Sequence, residues 1–144
     1  MKFALRNFGA PDLPRRGLTA NSAPVAVLLV DIEADLVISD NSRTVWSEDR
    51  FPVAELACAL SLWLRLPDGE RGNFTFDSMS YDVPGAVRIT TTDEGWGVGS
   101  VFATDTQSSP ATWESLVPDL VEFIEEVRDG VTALGINPAF IPGF

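Results

Sequence analysis

Residues 30–40, VDIEADLVISD, place three carboxylates, Asp31, Glu33 and Asp35, at every second position. In an extended chain, residues two apart share a face and lie roughly 6.5–7 Å from one another. Carboxylates so arrayed suit three chemistries: a divalent-cation site, an acid/base pair of the glycosidase type, or a surface for a basic partner. A Ca²⁺ ion gathers about six to eight oxygens at roughly 2.3–2.6 Å, usually from a loop folded around it. A straight strand cannot bring three carboxylates onto one ion, although two could share an ion with a neighbouring strand. A glycosidase pair tolerates this separation, but it also needs an aromatic-lined cleft, for which the sequence offers Trp46, Tyr81 and Trp96. The plain alternative is a solvated strand face whose charges discourage edge-to-edge association.

Other chemistries are removed by composition. The chain contains no histidine, which excludes Ser-His-Asp and Cys-His nucleophile systems and the usual zinc and iron ligand sets. Its single cysteine, Cys58, has no partner for an intramolecular disulfide. Cys58 lies beside an apolar helical stripe with no nearby cation to activate it, and reads as a small packed thiol. DEGWGVGS (93–100) contains G-x-G-x-G, but a phosphate cradle needs a strand before it and a helix directly after. Gly97 and Gly99 instead alternate inside a strand pattern, which predicts a bulge there or close approach of a helix or the C-terminal tail. No metal or organic cofactor is expected.

Charge is the strongest compositional signal: 10 basic against 21 acidic residues give a net −11. Residues 1–30 hold Lys2, Arg6, Arg15 and Arg16 against Asp12 alone, so they carry +3 and the remainder −14. This balance disfavours nucleic acid, whose phosphates need clustered Lys and Arg, and it would speed encounter with a basic protein. No apolar run approaches the roughly 18 residues of a membrane span. The first 23 residues also lack the continuous apolar core of a secretory signal, so the expected location is cytoplasmic.

The elements that must hold these residues follow from periodicity. Leu28, Val30, Ile32, Ala34, Leu36 and Ile38 alternate with the acids, which predicts a half-buried strand running from Leu28 to Ile38. RTVWSE (43–48) returns as its partner after the turn SDNS. Val53, Leu56, Ala57, Leu60, Trp63 and Leu64 switch to helical spacing, with Pro52 in the first turn. FTFDSMSYD, AVRITTTD and WGVGSVFA then read as a three-strand meander, and TDTQSSPAT (104–112) as a loop. A long stripe from Trp113 to Leu134 predicts a second helix, started at Thr112 or Ser109-Pro110 and ended by Gly135. Pro118 fits best if regular helix begins near Ser115.

The expected architecture is one α+β domain spanning 1–144. It has a largely antiparallel twisted sheet of about five strands in the order β-β-α-β-β-β-α, with two main helices. Residues 1–24 form an irregular N-terminal segment that admits one extra strand (KFALRNF), and residues 136–144 form an apolar tail, either packed back or free to dock. If Phe74 and Phe76 point inward, Asp77, Met79 and Tyr81 point outward, so Asp77 and Tyr81 would extend the polar face of Asp31, Glu33 and Asp35. Aromatic and Met residues within a charged surface are the composition of a protein-binding patch.

The stretch LVDIEADLVISD, with VWSEDRFPVAELACALSLWL and FTFDSMSYDVPGAVRI behind it, resembles small uncharacterised actinobacterial proteins. Across residues 25–134 the order of paired strands, an ELA..L..WL helix, a meander and a long helix is also similar to some small immunity proteins of bacterial toxin systems. The resemblance implies a cytoplasmic, non-enzymatic acidic protein that covers the positive active site of a partner. The expectation is therefore a non-catalytic binding domain using Asp31, Glu33, Asp35, Asp77 and Tyr81. The alternatives are a carboxylate-based enzyme or Ca²⁺-dependent module on the same residues, and a homo-oligomer subunit joined through the tail.

Overall fold

A computed structural model describes all 144 residues. Its elements are β1 (Lys2–Gly9), α1 (Asp12–Arg15), α2 (Val25–Asp31), β2 (Glu33–Asp40), β3 (Arg43–Phe51), α3 (Val53–Leu64), β4 (Phe74–Thr75), β5 (Arg88–Thr92), β6 (Gly95–Ser100), β7 (Ala103–Gln107) and α4 (Trp113–Ala133), followed by a 3₁₀ turn at Pro138–Phe140. The class is α+β, as the alternating periods require. The seven strands form two antiparallel sheets, β1-β2-β3 and β4-β5-β6-β7, rather than one sheet of about five. The sheets adjoin where β3 meets β7. There Arg43 Nη2 donates to the Gln107 carbonyl (2.7 Å) and the Ser109 N–H donates to Asp40 Oδ2 (2.7 Å).

Several boundaries differ from expectation. Residues 25–31 are helix, not strand: the apolar run VAVLLV follows Pro24, and Leu28 and Asp31, three apart, are its buried residues. An alternating and a helical pattern coincide over so short a run, so the strand starts only at Glu33. The N-terminal segment is not irregular over its first part. Phe3 and Leu5 oppose Ile38 and Leu36, making β1 the edge of the first sheet. FTFDSMSYD supplies only two paired residues before the chain leaves the sheet, returning through Phe76 N–H to Val87 O (2.9 Å). Residues 104–107, expected as loop, belong to β7 (Ala103–Gln107), because the chain turns back after Ser100.

Both long helices pack against each other, and α4 also lies along β1, where Phe3 meets Phe123 at 5.3 Å between ring centres. On α3, Val53, Leu56, Ala57, Leu60 and Trp63 are buried as the stripe predicts. Trp63 is the pin of the second sheet. Its ring packs on Phe74, Trp96 and Trp113 at 5.5–5.9 Å, and its indole N–H donates to the Gly72 carbonyl (3.0 Å). Thr112 caps α4, accepting from the Ser115 N–H at 3.2 Å, so the helix starts at Trp113 and Pro118 lies beyond the first turn on the exposed side.

Gly135, at φ +80°, closes α4. Its N–H bonds the Thr132 carbonyl (2.9 Å) and the Ile136 N–H bonds the Val131 carbonyl (3.2 Å), the paired bonds of a left-handed helix stop. The tail then packs back across both helices. Ile141 is fully buried, Ser61 Oγ donates to the Pro142 carbonyl (2.5 Å), and Arg128 Nε donates to the Ile141 carbonyl (2.9 Å). No helix is long and apolar enough to cross a membrane.

Candidate functional site

The three carboxylates of the acidic stretch do not form one wet face. Asp31 ends α2 and is only 2% exposed. Its two oxygens take a two-pronged grip from Arg16, Nε to Oδ2 at 2.6 Å and Nη2 to Oδ1 at 3.0 Å. Glu33 accepts from Arg50 Nε at 2.9 Å, and Arg50 also approaches Asp12 at 3.6 Å. Alternation predicts Asp31 beside the other two on a strand, and the α2–β2 boundary is what separates it from them.

Asp35 sits in the central strand between two irregularities of its neighbours. In β1 the register slips between Arg6 and Gly9, with Asn7 at φ +54°; in β3 it slips between Phe51 and Glu48, with Arg50 at φ +53°. Each slip inserts one residue, a bulge, and each bulge aims a donor at the same carboxylate. Asn7 Nδ2 reaches Oδ2 at 2.7 Å and the Arg50 backbone N–H reaches Oδ1 at 3.0 Å. These two donors, Asn7 first, hold the Asp35 carboxyl below the usual carboxylate range. The carboxylates of β2 are thus engaged with donors of the same chain, and no three His, Cys, Asp or Glu side chains converge as a metal site would require.

Asp77 and Tyr81 lie elsewhere. Asp77 is exposed, while the half-buried Tyr81 ring packs on Phe51 at 5.9 Å and on Phe102 at 5.6 Å. Phe51 belongs to the core side of the first sheet, opposite to Glu33 and Asp35, so the structure does not join Tyr81 to the β2 acids. What it does assemble is an aromatic run from inside to outside. Trp46 meets Phe51 edge-on (5.5 Å) and stacks on Phe102 (6.2 Å), and Phe102 is 50% exposed. Met79 (62% exposed) and Val83 (48% exposed) flank Tyr81 in the chain. Acidic groups accompany the run: Asp77 and Asp82 neighbour it in sequence, and burial together with the nearby Glu48 charge pushes the Tyr81 phenol up.

The loop carrying Tyr81 is anchored from below by Glu55. This carboxylate is 8% exposed and accepts from the Met79 N–H at 3.2 Å through Oε1. Ser78 Oγ in turn accepts from the Ser80 N–H at 3.0 Å. The exposed Met79 side chain is therefore presented by a fixed backbone. Sequence parity puts Asp77, Met79 and Tyr81 outward, and the structure leaves Asp77 and Met79 exposed and Tyr81 half-buried; Phe102 beside Tyr81 is not legible from parity, because WGVGSVFA reads as one continuous strand. The signal available was the return of polar, β-prone residues in ATDTQ, which makes Val101-Phe102 a turn.

Cys58 is half-buried, with its Sγ 3.5 Å from the Phe140 carbonyl; burial, then the Glu55 charge, raises its pKa, as expected of a packed thiol. The largest cavity, about 360 Å³, is lined by Leu13, Pro14, Leu18, Leu134 and Ile136 among others, and contains one side-chain hydroxyl, Thr19. It offers apolar contact but no charged group to orient a ligand or to do chemistry.

Residues 8–133 match the family described as domain of unknown function DUF7878, and the chain belongs to that family. No curated protein and no solved structure matches it.

Proposed function

We propose that this DUF7878 domain is a non-catalytic, acidic protein-binding module that acts in the cytoplasm by covering a basic surface of another protein, in the manner of an immunity protein. The observation that carries this reading is the Trp46–Phe102–Tyr81 aromatic run, which ends in a half-exposed phenyl ring; the Glu48 charge acts on Tyr81, and Asp77 and Asp82 stand close to Tyr81 in the chain. Aromatic anchors with a charged surround are the usual composition of a binding hot spot. The net charge of −11 supplies long-range attraction to a basic partner. In this reading the binding residues are Tyr81, Phe102, Met79 and Asp77. Asp31, Glu33 and Asp35 contribute to the overall field rather than to contacts, since their oxygens already serve Arg16, Arg50 and Asn7.

The test begins with affinity purification from the native host, followed by association kinetics with the captured protein in rising salt. A basic partner whose association slows steeply between about 0.05 and 0.5 M salt is expected. Phe102→Ala should weaken binding by about tenfold or more, the scale of a moderate hot spot. Association insensitive to salt, or full affinity in Phe102→Ala, would remove the reading.

A further inference from the structure

The outer face of the second sheet carries a different kind of place. Along β5, Arg88 and Thr90 point away from the helices, while Ile89 between them is fully buried. They oppose Gly99 and Gly97 of β6 in register, so the floor beside them has no side chains. Gln107 of β7 folds over this floor: a Cβ on Gly97 would lie 2.5 Å from its Nε2, and one on Gly99 would lie 3.6 Å from its Cγ. Gln107 Nε2 also contacts Thr90 Oγ1 at 3.3 Å. Arg88, Thr90, Gly99 and Gln107 together enclose a cup of about 230 Å³.

Arg88 is half-buried, its stem lying over Gly85, yet its guanidinium makes no hydrogen bond and no ion pair. Every other basic side chain except the exposed Arg6 has an acceptor, whether a carboxylate or a backbone carbonyl. In a chain of net −11, Arg88 is thus a half-buried guanidinium whose donors are free for a group outside the chain, and a guanidinium can grip both oxygens of a carboxylate at once. The other polar groups of the cup are an amide with donor capacity and a hydroxyl, both able to donate to the same anion.

We propose that the cup of Arg88, Thr90, Gly99 and Gln107 binds a small free carboxylate, with the guanidinium gripping both oxygens and Thr90 and Gln107 adding donors. The single cation in an acidic body favours a monovalent, planar anion over phosphate or a nucleotide, which draws on several positive groups. Gly99 adds no side chain to the cup, while the space over Gly97 is taken by the Gln107 side chain, which holds the amide at the cup's edge. This site lies on the second sheet and involves none of Tyr81, Phe102, Met79 or Asp77, so it stands or falls separately from the partner surface.

The test is titration of the ¹⁵N-labelled protein with sodium acetate and sodium glutarate, against sodium chloride at matched ionic strength, reading the Arg88 Nε–H and Gln107 amide signals. Saturable shifts of these signals with both carboxylates are expected. In Arg88→Gln, read on the Gln107 amide signals, the apparent affinity should fall by about tenfold or more, the scale of a lost charge-assisted pair. Gly99→Ala, which fills the floor, should lower it too while the remaining spectrum confirms the fold. Shifts that follow chloride equally, or saturation unchanged in Arg88→Gln, would overturn the site. Tighter binding of inorganic phosphate would overturn the carboxylate assignment. Tighter binding of a glutamate-containing tetrapeptide than of glutarate would overturn the free-molecule source.

Discussion

The two sheets treat their charges in opposite ways. In the first sheet, Asp35 and Glu33 are held by Asn7 and Arg50, and Asp31 just before β2 is locked by Arg16. In the second, Arg88 lines a cup with Thr90, Gly99 and Gln107, and its guanidinium makes no hydrogen bond or ion pair. A run of carboxylates therefore marks structure here, and a solitary arginine marks availability. The lesson is that the number of like charges in a stretch says less than whether each has an opposite within reach.

The contrast can be broken by mutation, and the largest effect belongs to the residue that joins the second sheet to the helices. Trp63→Ala should destabilise by about 3–5 kcal/mol in denaturant melts, because it empties the centre of the Phe74, Trp96 and Trp113 cluster. Arg16→Gln comes next. It leaves the buried Asp31 carboxylate without its partner, so the melting temperature should fall by several degrees. Asp31→Asn added to it should recover part of that loss, since the uncompensated charge is gone; no recovery would mean that Arg16 acts through packing alone.

Acid should act through Asp35 and Asp40, whose carboxyls are both held below the ordinary value of 3.8. A depressed folded-state pKa contributes stability above the unfolded value and loses it as pH falls through the folded one. Melting temperature should therefore be flat from pH 7 to about 5 and drop below about pH 4. Asp35→Asn should flatten part of that drop; an unchanged slope would show that the two bulges do not depend on the charge.

The smallest effect expected is that of Arg88→Gln on stability, within about 0.5 kcal/mol of the parent, as for a surface side chain with no partner. If it costs as much as Arg16→Gln, Arg88 is structural and the contrast between the sheets collapses. Ca²⁺, Mg²⁺ or Mn²⁺ with and without EDTA should leave the melting temperature unchanged, because the acids of β2 are already satisfied.

Where sequence periodicity ran long, it was faithful: α3, α4, the Thr112 cap and the Gly135 stop are legible because a dozen or more residues repeat one period. It failed over Val25–Asp31, where seven residues fit either period and only packing of Leu28 and Asp31 decides. It also failed at Phe74–Asp82, because alternation reports two-sidedness and not pairing: only Phe74 and Thr75 join the ladder, and Phe76 adds a last bond to Val87. At the candidate sites, parity placed Asp77, Met79 and Tyr81 outward. The salt bridges of Asp31 and Glu33 were illegible because Arg16 and Arg50 lie 15 and 17 residues away in the chain, and nothing local ties them together. The approach to Gly97 was legible as a vacancy, but the visitor is the Gln107 side chain rather than a helix or the tail.

Asp35 also bears on how the first sheet opens. One carboxylate ties a donor on β1 to a donor on β3, so neither outer strand can peel from β2 without releasing a bond that steadies the other bulge. Hydrogen exchange in β1 and β3 should accordingly rise together, as one cooperative unit, although β1 is an edge strand that would otherwise fray alone.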